Sequence, residues 1–255
     1  TLEALKASLM SLSAEAAKDQ ALAILGTAIE EWRSQTSRWD RSGASKVEGI
    51  SQDYLDCLLE GNKAEALLLM EGLLREGLGL PHIYLDVIQP AQRELGRLWL
   101  LGRINSAQEH FCSSSTQFIM ARLCPPTHPR FRRGKRLVAA AAGGEFHDIG
   151  IRMVSDLFEL QGWETYFLGA NSPGESVVKI IMEWKPELLC LSATLPTHLS
   201  LVAQTIDQVR EAFPSDLPRI LVGGLAFEEA PKLWKAVGAD AWGRDAQEAL
   251  GLASA

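Results

Sequence analysis

The stretch RLVAAAAGGEFHDIG, residues 136–150, decides the fold. Residues 137–142 are all apolar and predict a buried strand, and Gly143-Gly144 separates this strand from a helix that begins near Asp148. The same succession of strand, turn and helix recurs along the rest of the chain. Consecutive β-α units are typical of a parallel sheet with helices on both faces, which binds ligands at the carboxyl ends of its strands.

Five such units are predicted after residue 135. The strands are expected at residues 136–142, 165–168, 188–192, 219–222 and 241–242. The helices are expected at residues 148–161, 175–184, 199–213 and 229–237 and at the end of the chain. We therefore predict a Rossmann-like, doubly wound domain with a parallel five-stranded sheet.

Before residue 125 the apolar residues recur at helical spacing. Helices are predicted at residues 50–60, 64–75, 81–101 and 106–123, and in the last of them Ser106 is the expected N-cap, with Glu109 as its capping-box partner. Helices with such short connections indicate a four-helix bundle. Residues 2–39 predict one or two further helices.

A linker is predicted between these two parts, because three prolines and a basic run occur between residues 124 and 134. The predicted organisation is a helical extension at residues 1–48, a four-helix bundle at 49–124, a linker at 125–134 and the Rossmann-like domain at 135–255. The fold class is therefore α + α/β, with the N-terminal helix bundle preceding the doubly wound domain.

The composition excludes several classes of protein. The chain has 255 residues and a net charge of −7, whereas a nucleic-acid backbone attracts clustered positive charge. Its apolar runs are too short to span a bilayer. It shows no signal peptide and no C-x-x-C spacing among its four cysteines, so we predict a reduced, cytoplasmic protein. The first residue, Thr1 rather than Met, suggests a trimmed or partial sequence.

The first strand ends in residues that could bind a metal. The glycine pattern of a dinucleotide site is absent there, and Glu145, His147, Asp148 and Gly150 stand in its place. A metal-binding imidazole needs an acceptor for its second nitrogen, which Glu145 or Asp148 could supply. The alternative is a histidine at a helix start that is capped by its neighbours and binds no metal.

The neighbouring strand ends carry small residues. Ser192 and Thr194 follow the third strand, and Gly223 and Gly224 end the fourth. Together they predict a narrow slot that suits a flat ligand. His198 lies near the same edge and is a weaker candidate for contact with that ligand.

These motifs resemble a known family. The segments EFHDIG, SATL and VGG, together with GADAW and a following DA, resemble the D-x-H-x-x-G … S-x-L/T … G-G signature of cobalamin-binding domains over residues 135–250. The resemblance implies that His147 replaces the nucleotide base as the lower cobalt ligand. Glu145 stands where the family usually has Asp, and its longer side chain is expected to reach the imidazole.

The resemblance also implies a site for the displaced dimethylbenzimidazole tail. The tail would enter the sheet edge beside Gly150, Ser192, Thr194, Gly223 and Gly224. A hydrogen bond from Ser192 or Thr194 would satisfy the tail nitrogen, which is a costly acceptor to bury unpaired.

A second pattern lies in the helical part, where Trp99 is followed after nine residues by Glu109-His110. A bundle with this W-x9-E-H spacing, joined to a cobalamin domain, resembles the light-sensing adenosylcobalamin regulators. The resemblance implies that Trp99 covers the adenosyl group, Glu109 contacts the ribose and His110 becomes the upper cobalt ligand after photolysis. The alternative is a packing tryptophan at a helix end with a solvated Glu-His pair.

The two resemblances favour a light sensor that is not an enzyme. It would hold adenosylcobalamin base-off between bundle and Rossmann-like domain, and photolysis of the Co–C bond would change its conformation or association. Expected partners are further copies of the chain, as a dimer or tetramer, or a downstream protein. Residues 1–48 do not match the family's DNA-binding domain, so direct contact with nucleic acid is not expected.

Other functions stay open. A corrinoid methyl-carrier protein of a methyltransferase system also pairs a helical bundle with a D-x-H-x-x-G domain, but it needs an open upper face, against which the Trp99 pattern argues. A mutase subunit would need a separate catalytic barrel.

Some light-sensing relatives hold a bilin as second chromophore, and Trp32 and Trp39 could contribute to such a site. Alternatively, these two tryptophans pack on a neighbouring helix or dimer partner.

Overall fold

The computed structural model describes residues 46–124, 134–214, 218–229 and 232–254. The described residues fall into two compact units, a helical unit before residue 125 and an α/β unit after residue 133. The predicted extension at residues 1–48, apart from its last three residues, lies outside the described part of the chain, and so do Trp32 and Trp39.

The helical unit contains the four predicted helices. They are α1 (Lys46–Leu59), α2 (Lys63–Arg75), a continuous helix made of α3 (Leu80–His82), a π-helical segment (Ile83–Ile88) and α4 (Gln89–Leu100), and α5 (Ser106–Leu123). Large side chains from all four helices are fully buried and form the core, among them Tyr54, Leu58, Met70, Ile88, Leu95, Ile119 and Met120. This burial explains the helical spacing of apolar residues in the sequence.

The start of α5 differs from the predicted capping. Asn105, not Ser106, is the N-cap, because its side-chain oxygen accepts a hydrogen bond from the Gln108 N–H at 2.9 Å. The Gln108 side chain in turn accepts from the Asn105 N–H at 3.1 Å and completes the capping box. The prediction of Ser106 and Glu109 was therefore wrong by one residue. Both side chains are left for other contacts.

The α/β unit is a five-stranded, all-parallel sheet with flanking helices, as predicted. Its strands are β1 (Arg136–Ala142), β2 (Glu164–Ser172), β3 (Leu188–Ser192), β4 (Arg219–Gly223) and β5 (Ala241–Trp242), in the order β2-β1-β3-β4-β5. Its helices are α6 (Ile149–Leu160), α7 (Gly174–Trp184), α8 (Leu199–Ala212), α9 (Leu225–Glu229), α10 (Leu233–Ala236) and α11 (Ala246–Ser254), and a 3-10 turn (Pro196–His198) precedes α8.

Two predicted boundaries were wrong. β2 continues to Ser172 rather than ending at residue 168, and its register against β1 shifts twice where Gly169 and Asn171 adopt positive φ angles of 75° and 49°. Glycine and asparagine in a sequence usually indicate the end of a strand, but here they cause irregularities within the strand. The helix predicted at residues 229–237 begins earlier, because α9 starts directly after Gly224 and buries Phe227 completely.

The two faces of the sheet pack against different helices. Val138 and Ala140 face a core completed by α7 and α8, and Leu137 and Ala139 face a core that includes Phe158 of α6. β1 is therefore buried on both faces, which explains its uninterrupted apolar sequence. Within the described residues, no helix combines the length and apolar character needed to cross a membrane.

Candidate functional site at the carboxyl edge of the sheet

The loop after β1 lies in the interior of the sheet edge, because β1 pairs with β2 on one side and β3 on the other. The carboxyl ends of parallel strands meet at one edge, so this loop and the turn after β3 are neighbours. Glu145 lies in the loop, and its side chain is completely buried. A buried carboxylate requires several hydrogen-bond donors, and both loops supply them.

The two oxygens of Glu145 serve different loops. Oε1 accepts from the His147 backbone N–H at 2.9 Å and also contacts the His147 ring Nδ1. Oε2 accepts from the backbone N–H groups of Thr194 at 2.7 Å and Leu195 at 3.2 Å, and lies 3.0 Å from Nδ1 of His198. One carboxylate thus ties the β1–α6 loop to the β3–α8 turn.

These hydrogen bonds keep Glu145 ionised. Burial raises the pKa of its carboxyl group, but the hydrogen bonds from His147, His198 and the backbone outweigh burial and lower this pKa from 4.5 to about 2. An ionised carboxylate only accepts hydrogen bonds, so the neighbouring Nδ1 of His147 carries the proton.

The ring of His147 is oriented by Glu145. Because Glu145 holds Nδ1, the opposite ring nitrogen, Nε2, is the atom of this ring that could ligate a metal. The side chain is 55% exposed, although its carboxylate partner is buried. Asp148, the other predicted acceptor, lies towards β2, where its Oδ2 is 3.6 Å from the position that a Cβ on Gly169 would occupy.

Ser192 lies at the end of β3 beside this loop. Its Oγ is buried and has no hydrogen-bond partner among the described residues. A buried hydroxyl without a partner is costly, so this atom suits a ligand that accepts or donates a hydrogen bond there. Thr194 contributes its backbone N–H to Glu145, a contact that the sequence did not indicate.

The predicted glycines differ in how much space the surrounding structure would leave for a side chain. A Cβ on Gly224, where φ is +97°, would lie 2.3 Å from the Ala193 carbonyl oxygen, and a Cβ on Gly223 would lie 3.0 Å from the Gly243 carbonyl oxygen. Close backbone packing therefore requires glycine at position 224, and at position 223 it leaves little room for a side chain. A Cβ on Gly150 would meet nothing within 4 Å, so packing in the described structure does not explain that glycine.

The predicted residues of the helical unit lie around the start of α5. The Trp99 indole N–H donates to the Ser106 hydroxyl at 3.3 Å, and the ring remains 47% exposed. Glu109 accepts from the Ser113 hydroxyl at 2.6 Å, and its other oxygen lies 3.6 Å from Nε2 of His110. The side chain of His110 is 77% exposed.

Two residues of the sheet edge have roles that sequence reasoning missed. His198 was a candidate for ligand contact, but its ring contacts Glu145. Asn171 accepts a hydrogen bond from the Gly144 N–H at 2.8 Å. Two features of the sequence could have indicated these roles. His198 follows two residues after a proline in the β3–α8 turn, and Asn171 is an asparagine, a residue type that tolerates positive φ.

Comparison with known proteins gives two family matches. Residues 135–251 match a family model described as a B12 binding domain, and residues 50–123 match a second model with the same description. The two matched regions correspond to the α/β unit and the helical unit.

Curated relatives match at lower coverage. The chain is 29% identical to the trimethylamine corrinoid protein of Methanosarcina barkeri over 133 residues, which is 50% of this chain and 59% of that protein. It is 28% identical to the HTH-type transcriptional repressor CarH of Myxococcus xanthus over 145 residues, 55% of this chain and 46% of that protein. The chain thus spans about half the length of these relatives.

A solved structure shares the fold. The monomethylamine corrinoid protein of Methanosarcina barkeri matches with a TM-score of 0.69 over 79% of this chain and 95% of that chain, at 24% sequence identity.

Proposed function

The chain is a cobalamin-binding domain protein, and from this premise we propose that it is a corrinoid carrier whose lower cobalt ligand is Nε2 of His147. The observation that carries the proposal is the orientation of His147 by the buried, ionised Glu145. A carboxylate that holds the second imidazole nitrogen fixes the tautomer and increases the basicity of the ligating atom.

The tail of the cofactor would be recognised at Ser192. Its buried hydroxyl has no partner in the described structure, and a dimethylbenzimidazole nitrogen is an acceptor of the matching kind. Gly223 and Gly224 allow the neighbouring backbone segments to pack closely at this edge, and Gly150 lies in the first turn of α6 at the same edge. The donor set therefore fits a corrinoid in its base-off form.

The role as a methyl carrier is supported by relatives that are named corrinoid proteins of trimethylamine and dimethylamine. A corrinoid in the Co(I) state supplies a nucleophile that accepts a methyl group. The chain's own residues would bind the corrinoid, support the cobalt through His147 and leave catalysis to partner methyltransferases. In this role the chain is a carrier rather than an enzyme.

A light sensor is the second candidate, and the specific observation in its favour is in the helical unit. Trp99 is held by Ser106 while its ring stays exposed, and His110 is exposed on the next helix. In this role Trp99 would cover an adenosyl group, Glu109 would contact its ribose and His110 would bind cobalt after photolysis. The CarH relative also supports it, and light would alter association with further copies or a downstream protein.

Two finer proposals accompany these functions. A bilin as second chromophore depends on Trp32 and Trp39, which lie outside the described residues. A cytoplasmic location is supported by the cysteines: all four lie in the described residues, and none of them forms a disulfide bond.

Three preparations, each loaded with a different form of the cofactor, test the ligand and separate the two candidates. Protein labelled with ¹⁵N-histidine and loaded with cob(II)alamin should show doublet hyperfine splitting from an axial ¹⁵N nucleus in its electron paramagnetic resonance spectrum, whereas the ¹⁴N of the dimethylbenzimidazole tail would give a triplet. The variant His147→Ala should abolish the doublet. Unchanged splitting in that variant would overturn His147 as ligand.

For the carrier, protein loaded with cob(I)alamin is incubated with trimethylamine and a trimethylamine methyltransferase. The expected products are protein-bound methylcobalamin and dimethylamine, formed as the methyl group passes from nitrogen to cobalt. For the sensor, protein loaded with adenosylcobalamin is illuminated and its size measured by light scattering. Methylation without a light-dependent change of size supports the carrier, and the reverse result supports the sensor.

A further inference from the structure

We propose that Phe146 is a binding residue for the macrocycle of the corrinoid, and that its ring packs against the cofactor beside the bond from His147 to cobalt. The inference rests on the proposed function and deepens it, because it adds an apolar contact to the metal ligand and the tail site. Phe146 lies between Glu145 and His147 in the loop after β1. Its side chain is 71% exposed, although the side chain before it is completely buried.

The backbone on both sides of Phe146 is held by hydrogen bonds. The Glu145 N–H donates to the Ala142 carbonyl oxygen at 2.9 Å, and the Glu145 carbonyl oxygen accepts from the Asn171 N–H at 2.7 Å. After Phe146, the His147 N–H donates to Oε1 of Glu145 at 2.9 Å. Since Glu145 points inward and its peptide groups are fixed, the ring of Phe146 is directed outward. Its exposure therefore follows from the backbone of the site itself.

A second exposed apolar side chain belongs to the neighbouring turn. Leu195 is 43% exposed, and its N–H donates to Oε2 of Glu145 at 3.2 Å. Phe146 and Leu195 thus belong to the two loops that this carboxylate ties together. Single apolar side chains on a surface are ordinary, but here they occur in the loops that hold the candidate metal ligand. Apolar side chains around a few placed polar groups are typical of a small-molecule site.

A corrin ring is the occupant that fits these observations. It is a flat macrocycle with a largely apolar carbon skeleton, and its cobalt would be bound by the histidine next to Phe146. Burial of an aromatic ring on binding contributes about tenfold or more to affinity. In this arrangement Phe146 supplies apolar area, His147 the metal ligand and Ser192 the hydrogen bond to the tail.

The first experiment titrates wild type, Phe146→Ala, Phe146→Leu and Met182→Ala with cobalamin and with cobinamide, the corrinoid without the tail. Met182 is the matched control, because it is also an exposed apolar residue, 58% exposed, but lies near the end of α7, which runs away from the carboxyl edge. The measurement is the dissociation constant by calorimetry. Urea unfolding of the cofactor-free proteins runs alongside and should show no loss of stability in Phe146→Ala, because the ring is exposed there.

We expect Phe146→Ala to weaken binding of both corrinoids about tenfold, and by the same factor for each, because the contact is with the macrocycle that they share. Phe146→Leu keeps apolar area and should lose less, and Met182→Ala should bind both as the wild type does. Unchanged affinity of Phe146→Ala for both corrinoids would overturn the proposal. A loss confined to cobalamin would also overturn it, because the ring would then contact the tail.

The second experiment detects the contact directly by ¹⁹F nuclear magnetic resonance. The eight phenylalanines are replaced by 4-fluorophenylalanine, and the resonance of residue 146 is assigned by its absence in Phe146→Leu. Cob(II)alamin is paramagnetic and should shift and broaden this resonance, whereas diamagnetic methylcobalamin should leave it sharp. Phe158 is the control: it is completely buried and packs on Trp163, 5.1 Å between ring centroids, next to the start of β2 at the opposite edge of the sheet.

A resonance of Phe146 that cob(II)alamin affects no more than that of Phe158 would overturn the proposal. The two experiments also separate this inference from the proposed function. If loaded wild type shows no ¹⁵N doublet from His147, the proposed function fails, whereas the titrations and the fluorine spectrum still test the contact of Phe146. If the doublet is present and Phe146→Ala binds both corrinoids as the wild type does, only the inference fails.

Discussion

The Asn171 side chain accepts a hydrogen bond from the Gly144 N–H at 2.8 Å, and the Asn171 N–H donates to the Glu145 carbonyl oxygen at 2.7 Å. The irregular end of β2 thereby holds the loop that carries the candidate ligand. The positive φ of Asn171 is what turns its backbone and side chain towards the same loop.

We predict that Asn171→Gly lowers the free energy of unfolding by about 0.5–1 kcal/mol, because it keeps the positive φ but loses the side-chain hydrogen bond. Asn171→Ala should cost more, about 1–2 kcal/mol, since a Cβ residue without a local hydrogen bond disfavours this φ. Urea denaturation measures both variants. Equal losses would show that backbone conformation contributes nothing at this position.

We predict that Glu145→Gln lowers the free energy of unfolding at pH 7 by on the order of 3 kcal/mol. The amide offers one acceptor oxygen where two are used, and its NH₂ group would face N–H donors. The exposed Glu183 on α7 provides the control, and Glu183→Gln should change stability by less than about 0.5 kcal/mol. A loss below that threshold at Glu145 would contradict its role as a structural acceptor.

The same carboxylate predicts a pH dependence. Because folding lowers the Glu145 pKa from 4.5 to about 2, its contribution to stability is complete above pH 4.5 and is lost as the pH falls towards 2. Urea titrations between pH 6 and pH 2 should therefore show a steeper decline for the wild type than for Glu145→Gln. Parallel curves would show that the carboxylate is not ionised in the folded state at low pH.

We predict that Ser192→Ala leaves the cofactor-free protein as stable as the wild type or more stable by about 1 kcal/mol, because it removes a buried hydroxyl without a partner. The variant should bind cobalamin about tenfold more weakly but bind cobinamide, which lacks the tail, with unchanged affinity. Calorimetric titration with the two corrinoids measures the difference. Thr194→Ala is the matched control for the neighbouring hydroxyl, and a larger effect there would reassign the tail contact.

The capping of α5 predicts that alanine substitutions at the adjacent residues Asn105 and Ser106 lower the free energy of unfolding by different amounts. Asn105→Ala should lower the free energy of unfolding by about 1 kcal/mol, because it removes the side-chain acceptor of the Gln108 N–H, which is one half of the capping box. Ser106→Ala should cost less than about 0.5 kcal/mol, because its hydroxyl accepts from the Trp99 indole, which is half-exposed and can donate to water instead. The reverse order in thermal or urea unfolding would restore Ser106 as the cap.

Much of the fold could be predicted because it follows from burial. The apolar run of β1 is buried on both faces, and the helical spacing before residue 125 reflects helices with one buried face. The ends of elements were less predictable where local hydrogen bonds decide them. Asn105 and Ser106 are both good caps, and the choice between them depends on which side chain reaches the Gln108 N–H.

Part of the candidate site was also predictable. Glu145 lies two residues from His147, so their contact depends on the conformation of one short loop and could be expected from the sequence. His198 follows 53 positions after Glu145, and its contact depends on the pairing of β1 with β3 and on the path of the following turn. The Ser192 hydroxyl is buried without a hydrogen-bond partner among the described residues, and this too depends on the tertiary packing around it, which the sequence does not specify locally.

The division of one carboxylate between two histidines has a consequence for divergence within a family. Glu145 contacts His198 through Oε2, so a substitution at either position that removes the acceptor or the donor would also remove a hydrogen bond from the other residue. Selection therefore acts on the two positions jointly, and related sequences should carry glutamate at 145 together with a donor at 198.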